Sequence, residues 1–173
     1  INGAGALIGA PFSRDEETKG GAAYLFDTQT GTLQQTFLNP GAKEGDEFGH
    51  ALAIDQDSVL VGAPYADLGV ANSGGAYLFN ATTGNLRQTF SNPSLEAGDL
   101  FGNTVALDGN NVLIGAFLDN EGARNSGAVH LFNAITGNLE QTFFNPTPAT
   151  GDLFGRAIAV EGDKVLISAP FNL

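Results

Sequence analysis

Cysteine, methionine and tryptophan are absent from this chain, and only seven of its 173 residues are lysine or arginine. Without cysteine there is no disulfide scaffold and no thiolate metal site, and nothing is learned about the redox compartment. Seven cations against 19 acidic residues, a net charge of −12, form no patch that neutralises a phosphate backbone. Nucleic acid is therefore excluded as a partner, and so is an anionic membrane surface. No apolar run approaches the ~18 residues of a membrane-spanning helix, so insertion by a helix is not expected. The two histidines, His50 and His130, fall at unrelated positions, and neither a Ser-His-Asp set nor a zinc site assembles around them. The chain opens on Ile1 in mid-pattern, which reads as a processed chain or a fragment of a longer repeat protein.

What the chain has in quantity is glycine and phenylalanine, 24 and 13 residues, set at a fixed interval. Phe48-Gly49, Phe101-Gly102 and Phe154-Gly155 are each 53 residues apart. Gly9-Ala10-Pro11, Gly62-Ala63-Pro64, Gly115-Ala116-Phe117 and Ser168-Ala169-Pro170 keep the same spacing. Phe26, Phe79 and Phe132 mark a third column, Phe37, Phe90 and Phe143 a fourth. Such self-similarity marks an architecture in which each repeat is one supersecondary module.

Within a unit, Ala51-Leu52-Ala53-Ile54 is a short apolar strand followed by the turn Asp55-Gln56-Asp57-Ser58. The turns Asp108-Gly109-Asn110-Asn111 and Glu161-Gly162-Asp163-Lys164 repeat it, with residues that tolerate the positive φ of a tight hairpin. Val59-Leu60-Val61-Gly62-Ala63 is apolar on successive residues, so both its faces should be covered. A polar loop leads to a third strand, Gly74-Gly75-Ala76-Tyr77-Leu78-Phe79, whose small residues admit a close neighbour. Asn80-Ala81-Thr82-Thr83-Gly84 is a hairpin loop with glycine at an αL position. Leu86-Arg87-Gln88-Thr89-Phe90 alternates as an outer strand does. Four short antiparallel strands per ~50 residues is the arithmetic of a β-propeller blade. The expected fold is all-β, with about three blades: a partial blade over 1–38, blades over 48–91 and 101–144, and a partial blade over 154–170.

The pairing of Phe-Gly with Gly-Ala-Pro some thirteen residues later resembles the FG-GAP repeat of integrin α-subunit propellers, and most of all its short bacterial form. The resemblance covers essentially the whole chain. It implies four-stranded blades with the Phe-Gly segment in the innermost strand, and a non-enzymatic binding or adhesion module, secreted or on a cell surface. It also brings calcium, held by an Asp-rich loop between the first two strands. Here that place holds only four-residue turns, too short to wrap six to eight oxygen ligands around the ion. No cofactor is therefore expected to be required.

Asp46, Asp99 and Asp152 each follow glycine and precede phenylalanine by two residues. They are the candidate ligands if a metal is held, although an aspartate so placed more often caps backbone N–H groups. The loops between strands two and three vary most, and variation on a fixed scaffold is where specificity resides. Asp15, Glu16, Asp67, Asp119 and Glu121 are the candidate ligand-binding residues there, for a protein or a glycan. The structural core is expected at Phe48, Gly49, Phe101, Gly102, Phe154 and Gly155 with Phe26, Phe79 and Phe132. His50 is expected to be exposed and His130 to pack on strand three. Against an enzyme or enzyme-associated propeller with a site on the channel axis stands the absence of any polar cluster unlike its counterparts. A self-assembling structural segment without a ligand is the third reading. Three blades are too few to close a ring, so a homo-oligomer, simplest as a dimer, or membership in a longer propeller is expected.

Overall fold

The computed structural model describes residues 5–14, 19–41, 43–94 and 96–171. They form thirteen β-strands and, among the described residues, no helix. β1 (Gly5–Ala10), β2 (Ala22–Asp27) and β3 (Leu33–Leu38) make a three-stranded sheet in that order. β4 (Ala51–Asp55), β5 (Ser58–Ala63), β6 (Gly75–Asn80) and β7 (Leu86–Ser91) make the first complete sheet. β8 (Thr104–Asp108), β9 (Asn111–Ala116), β10 (Ala128–Asn133) and β11 (Leu139–Phe144) make the second. β12 (Ile158–Glu161) and β13 (Lys164–Ile167) end the array as a hairpin. Every neighbouring pair is antiparallel, and β4, β8 and β12 lie side by side, as the inner strands of successive propeller blades do.

Local chemistry explains each element. The two-residue turn after β4 places Gln56 at φ 50°, where the later units have Gly109 and Gly162 at 54° and 58°. After β6, Asn80 Oδ1 accepts the N–H groups of Thr82 (3.0 Å) and Thr83 (2.8 Å), Gly84 sits at φ 70°, and the register shifts at Leu78/Phe79. This is the expected Asx loop closing on a bulge. β5 and β9 are buried on both faces from their second residue on.

The Phe-Gly pairs are buried, but they do not form the innermost strand. Phe48 and Phe101 lie in the link that enters each unit, where they make parallel bridges to Gly21 and Gly74 of the preceding sheet. Gly102, at φ 90°, lies so close to that sheet that a Cβ would collide with the Gly75 carbonyl. The Phe-Gly column is thus the fastening between blades, and strand one begins only after it.

The core sits in the seams. Phe79 packs on Phe37 of the preceding unit (5.4 Å between centroids) and edge-on to Phe48 (5.9 Å). Phe132 repeats this against Phe90 (5.0 Å) and Phe101 (6.0 Å). Phe26, expected in the core, is only half-buried, because no outer-strand phenylalanine precedes it in this chain. Phe143 is half-buried for the converse reason. The terminal sheets show the same effect: Leu166 is 75% exposed, whereas its equivalents Leu60 and Leu113 are fully buried.

Candidate functional site: the loop end of the blades

Antiparallel strands send the loops between strands two and three, and the links between units, to one end of every blade. The recurrent aspartates lie beneath that end. Asp46, Asp99 and Asp152 are buried, each accepting a hydrogen bond from an asparagine amide seven residues earlier: Asn39 (2.9 Å), Asn92 (2.7 Å) and Asn145 (2.6 Å). The same asparagines turn the chain, their Oδ1 atoms accepting from Gly41 (2.9 Å), Ser94 (3.2 Å) and Thr147 (3.1 Å) N–H groups. Backbone capping by the aspartate occurs at Asp152, from Ala149 N–H at 2.7 Å, but the partner common to all three is a side-chain amide. Burial pushes the Asp46 and Asp99 carboxyls up from their ordinary values, and the asparagine amides oppose it. The signal was in the sequence, since Asn39, Asn92 and Asn145 recur at the same 53-residue interval.

Of the loop residues, Asp15 and Glu16 lie outside the described residues. Asp67 pairs with Lys43 Nζ, which holds its carboxyl below the usual range, and accepts the Asn72 N–H at 2.8 Å. Glu121 is exposed. Asp119 is not the counterpart of Asp67. Asn120 is, its Oδ1 accepting the Asn125 N–H at 3.1 Å in the same five-residue span. Asp119 instead occupies the slot of Ala66 and is buried, with Oδ1 on the Glu121 N–H at 2.8 Å. Burial pushes its carboxyl up, with the charges of Asp99, Glu121 and Glu96 adding to the effect.

His130, in the slot of Tyr77, is buried against the Phe101 ring (5.7 Å) with Nδ1 3.1 Å from Thr142 Oγ1. Desolvation lowers its pKa to about 4, while burial and the charge of Asp46 raise Tyr77 to about 12. Asp99 Oδ1 and His130 Nε2 are buried without a hydrogen-bond partner. The third unit therefore departs from the second at two buried positions, Asp119 for Ala66 and His130 for Tyr77. Both are sealed from solvent, and among the described residues no three His, Asp or Glu side chains converge around a metal-sized space.

Two further departures have structural causes. Phe117, standing where other units have proline, carries the Arg156 guanidinium 5.0 Å above its ring. His50 is exposed as expected, with Nδ1 3.0 Å from Glu47 and Nε2 3.2 Å from Asn103, its equivalent in the next unit.

At the other end of the blades the turn aspartates stitch neighbours together. Asp55 accepts the Gly109 N–H at 2.8 Å, and Asp108 accepts the Gly162 N–H at 2.5 Å. Each of these carboxylates thus has one oxygen engaged by the next turn.

A profile of the FG-GAP repeat matches residues 32–79 and 91–132. Over 139 residues, 70% of the chain, the sequence is 30% identical to integrin alpha-2 of the mouse, Mus musculus. The chain spans 12% of that integrin's length.

Proposed function

Because the chain belongs to the FG-GAP repeat family, we propose that it is a non-enzymatic binding or adhesion module of the integrin-like propeller type. In this reading it works in secreted form or on a cell surface, recognising a protein or glycan through the loops at one end of its blades. The observation that carries the reading is the pair of loops at 65–73 and 118–126. Their ends are fastened alike, Gly74 N–H to Ala66 carbonyl at 2.9 Å and Gly127 N–H to Asp119 carbonyl at 3.0 Å. Ser73 and Ser126 hydroxyls donate back to the Leu68 and Glu121 carbonyls at 3.3 and 2.7 Å. Between those fastenings the exposed residues differ, with Asp67 and Ala71 in one loop and Asn120 and Arg124 in the other. A rigid frame with a changing surface is the design of a recognition site.

Catalysis fits the same residues poorly. Its best candidates, Asp99, Asp119 and His130, are buried beyond the reach of a substrate. No cofactor enters the reading. A second copy of the chain, or further repeats of the same kind, covers the open faces that carry Leu166 and Phe143 at one end and Ile8 at the other.

The test is surface plasmon resonance of the chain against a panel of purified extracellular-matrix proteins and glycans. Saturable binding that leaves the ligand chemically unchanged is expected. Turnover of a bound ligand, or no binding across the panel, would defeat the reading.

A further inference from the structure

At the end of the blades opposite those loops, the second and third units enclose a groove of about 620 Å³. That lies within the roughly 300–1,000 Å³ usual for a small-molecule site. One wall carries Asp55 and Asp57 on the β4–β5 turn with Arg87 and Gln88 on β7. The other carries Ile135 on the β10–β11 hairpin, and Leu78 lines the groove as well. Two hydrogen bonds fix its width, from Gly109 N–H to Asp55 Oδ2 (2.8 Å) and from Gln88 Nε2 to the Ile135 carbonyl (3.0 Å).

Its side chains are held in place. The Arg87 guanidinium donates to Asp57 Oδ2 (2.8 Å) and Ser58 Oγ (2.9 Å), leaving three of its five N–H donors. Backbone groups of the rim are already bonded, Ala81 N–H to Asp57 carbonyl at 2.7 Å and Ala134 N–H to Asn110 carbonyl at 2.8 Å. Recognition therefore falls to side chains, which disfavours an extended peptide needing main-chain bonds.

The groove is also where the repeats diverge. Arg87 stands where the other units have Gln34 and Glu140. Ile135 stands where they have Gln29 and Thr82, and it is 70% exposed. An apolar side chain set in water beside planar donors and acceptors matches a sugar ring, which has a C–H face and vicinal hydroxyls. Two carboxylates against one guanidinium, in a chain of net charge −12, repel an anionic sugar. We propose that this groove binds a neutral oligosaccharide.

The site is separate from the loop end, so its failure leaves the reading of that end intact. The experiment uses the 173-residue chain on an array of neutral and acidic oligosaccharides, followed by calorimetry with the best-retained sugar. Arg87→Gln and Ile135→Thr import the residues of neighbouring units, so the fold should accept both. A neutral sugar is expected to be retained, each variant weakening it about tenfold or more, the usual effect of a lost charged hydrogen bond or apolar contact. Melting temperatures should be unchanged, and Asp67→Asn, at the opposite end, should leave the affinity intact. The proposal is overturned if no neutral sugar is retained, if only acidic sugars bind, if binding survives both groove variants, or if Asp67→Asn abolishes it.

Discussion

Replacing Phe101 by alanine removes the ring that fastens the third unit to the second. The side chain is 0% exposed and lies 6.0 Å from Phe132, edge-on, and 5.7 Å from His130. Its backbone makes the bridge to Gly74 in the preceding sheet, so the glycine-lined gap around it has little room to collapse. Truncating a fully enclosed phenylalanine costs about 3–5 kcal/mol, the sum of lost transfer energy and a residual cavity. For a chain of this size that lowers the melting temperature by roughly 6–20 °C. Phe26→Ala is the internal control, since Phe26 has the same chemistry but is half-buried in the terminal sheet. It should cost under about 2 kcal/mol, because only part of its apolar area leaves water on folding. Urea unfolding followed by circular dichroism and tyrosine fluorescence measures both. A loss below about 1 kcal/mol for Phe101→Ala, or equal losses for the two variants, would refute the claim that the seams hold the core.

Three further outcomes are expected. His130 has a pKa of about 4 in the fold against an ordinary 6.5, so its contribution to stability is full above pH 6.5 and is lost as pH falls towards 4. His130→Gln should therefore shrink the stability difference between pH 7 and pH 4 by about 3 kcal/mol in urea titrations, and an unchanged difference would contradict the burial argument. Calorimetry of the chelator-treated chain with calcium should show no stoichiometric heat from the turns. A tight site abolished by Asp55→Asn and Asp108→Asn would show that the short turns do hold the ion. Multi-angle light scattering should find the chain associated at micromolar concentration, with Leu166→Lys, in the exposed face, shifting it towards monomer. A wild-type monomer would mean those faces need no cover.

Much of the fold was legible because the repeat multiplies every local signal. Val59 to Ala63 recurs as Val112 to Ala116, the Asx loops end on Gly84 and Gly137, and the turns carry Gly109 and Gly162. What a repeat does not encode is its neighbour. Phe26 and Phe79 both end an Ala-Tyr-Leu-Phe run, yet only Phe79 meets Phe37, so only it is buried. The asparagine partners of the recurrent aspartates stand in a visible column but resemble the start of a loop, because recurrence alone does not say which side chain a turn asparagine meets. Asp119 and Asp67 are alike in charge and loop, yet the 53-residue register places Asp119 on Ala66. The opposite groove depends on two units meeting, which no single unit reveals.

The most direct test of ligand recognition by the loop end is a transplant. The stretches 67–72 and 120–125 are equal in length and lie inside the same fastenings, so the first can replace the second while the buried Asp119 and the strands stay in place. The account predicts an unchanged sheet content and unfolding midpoint, with binding to the ligand found in the panel lost or redirected. Full retention of that binding in the transplanted chain would contradict it.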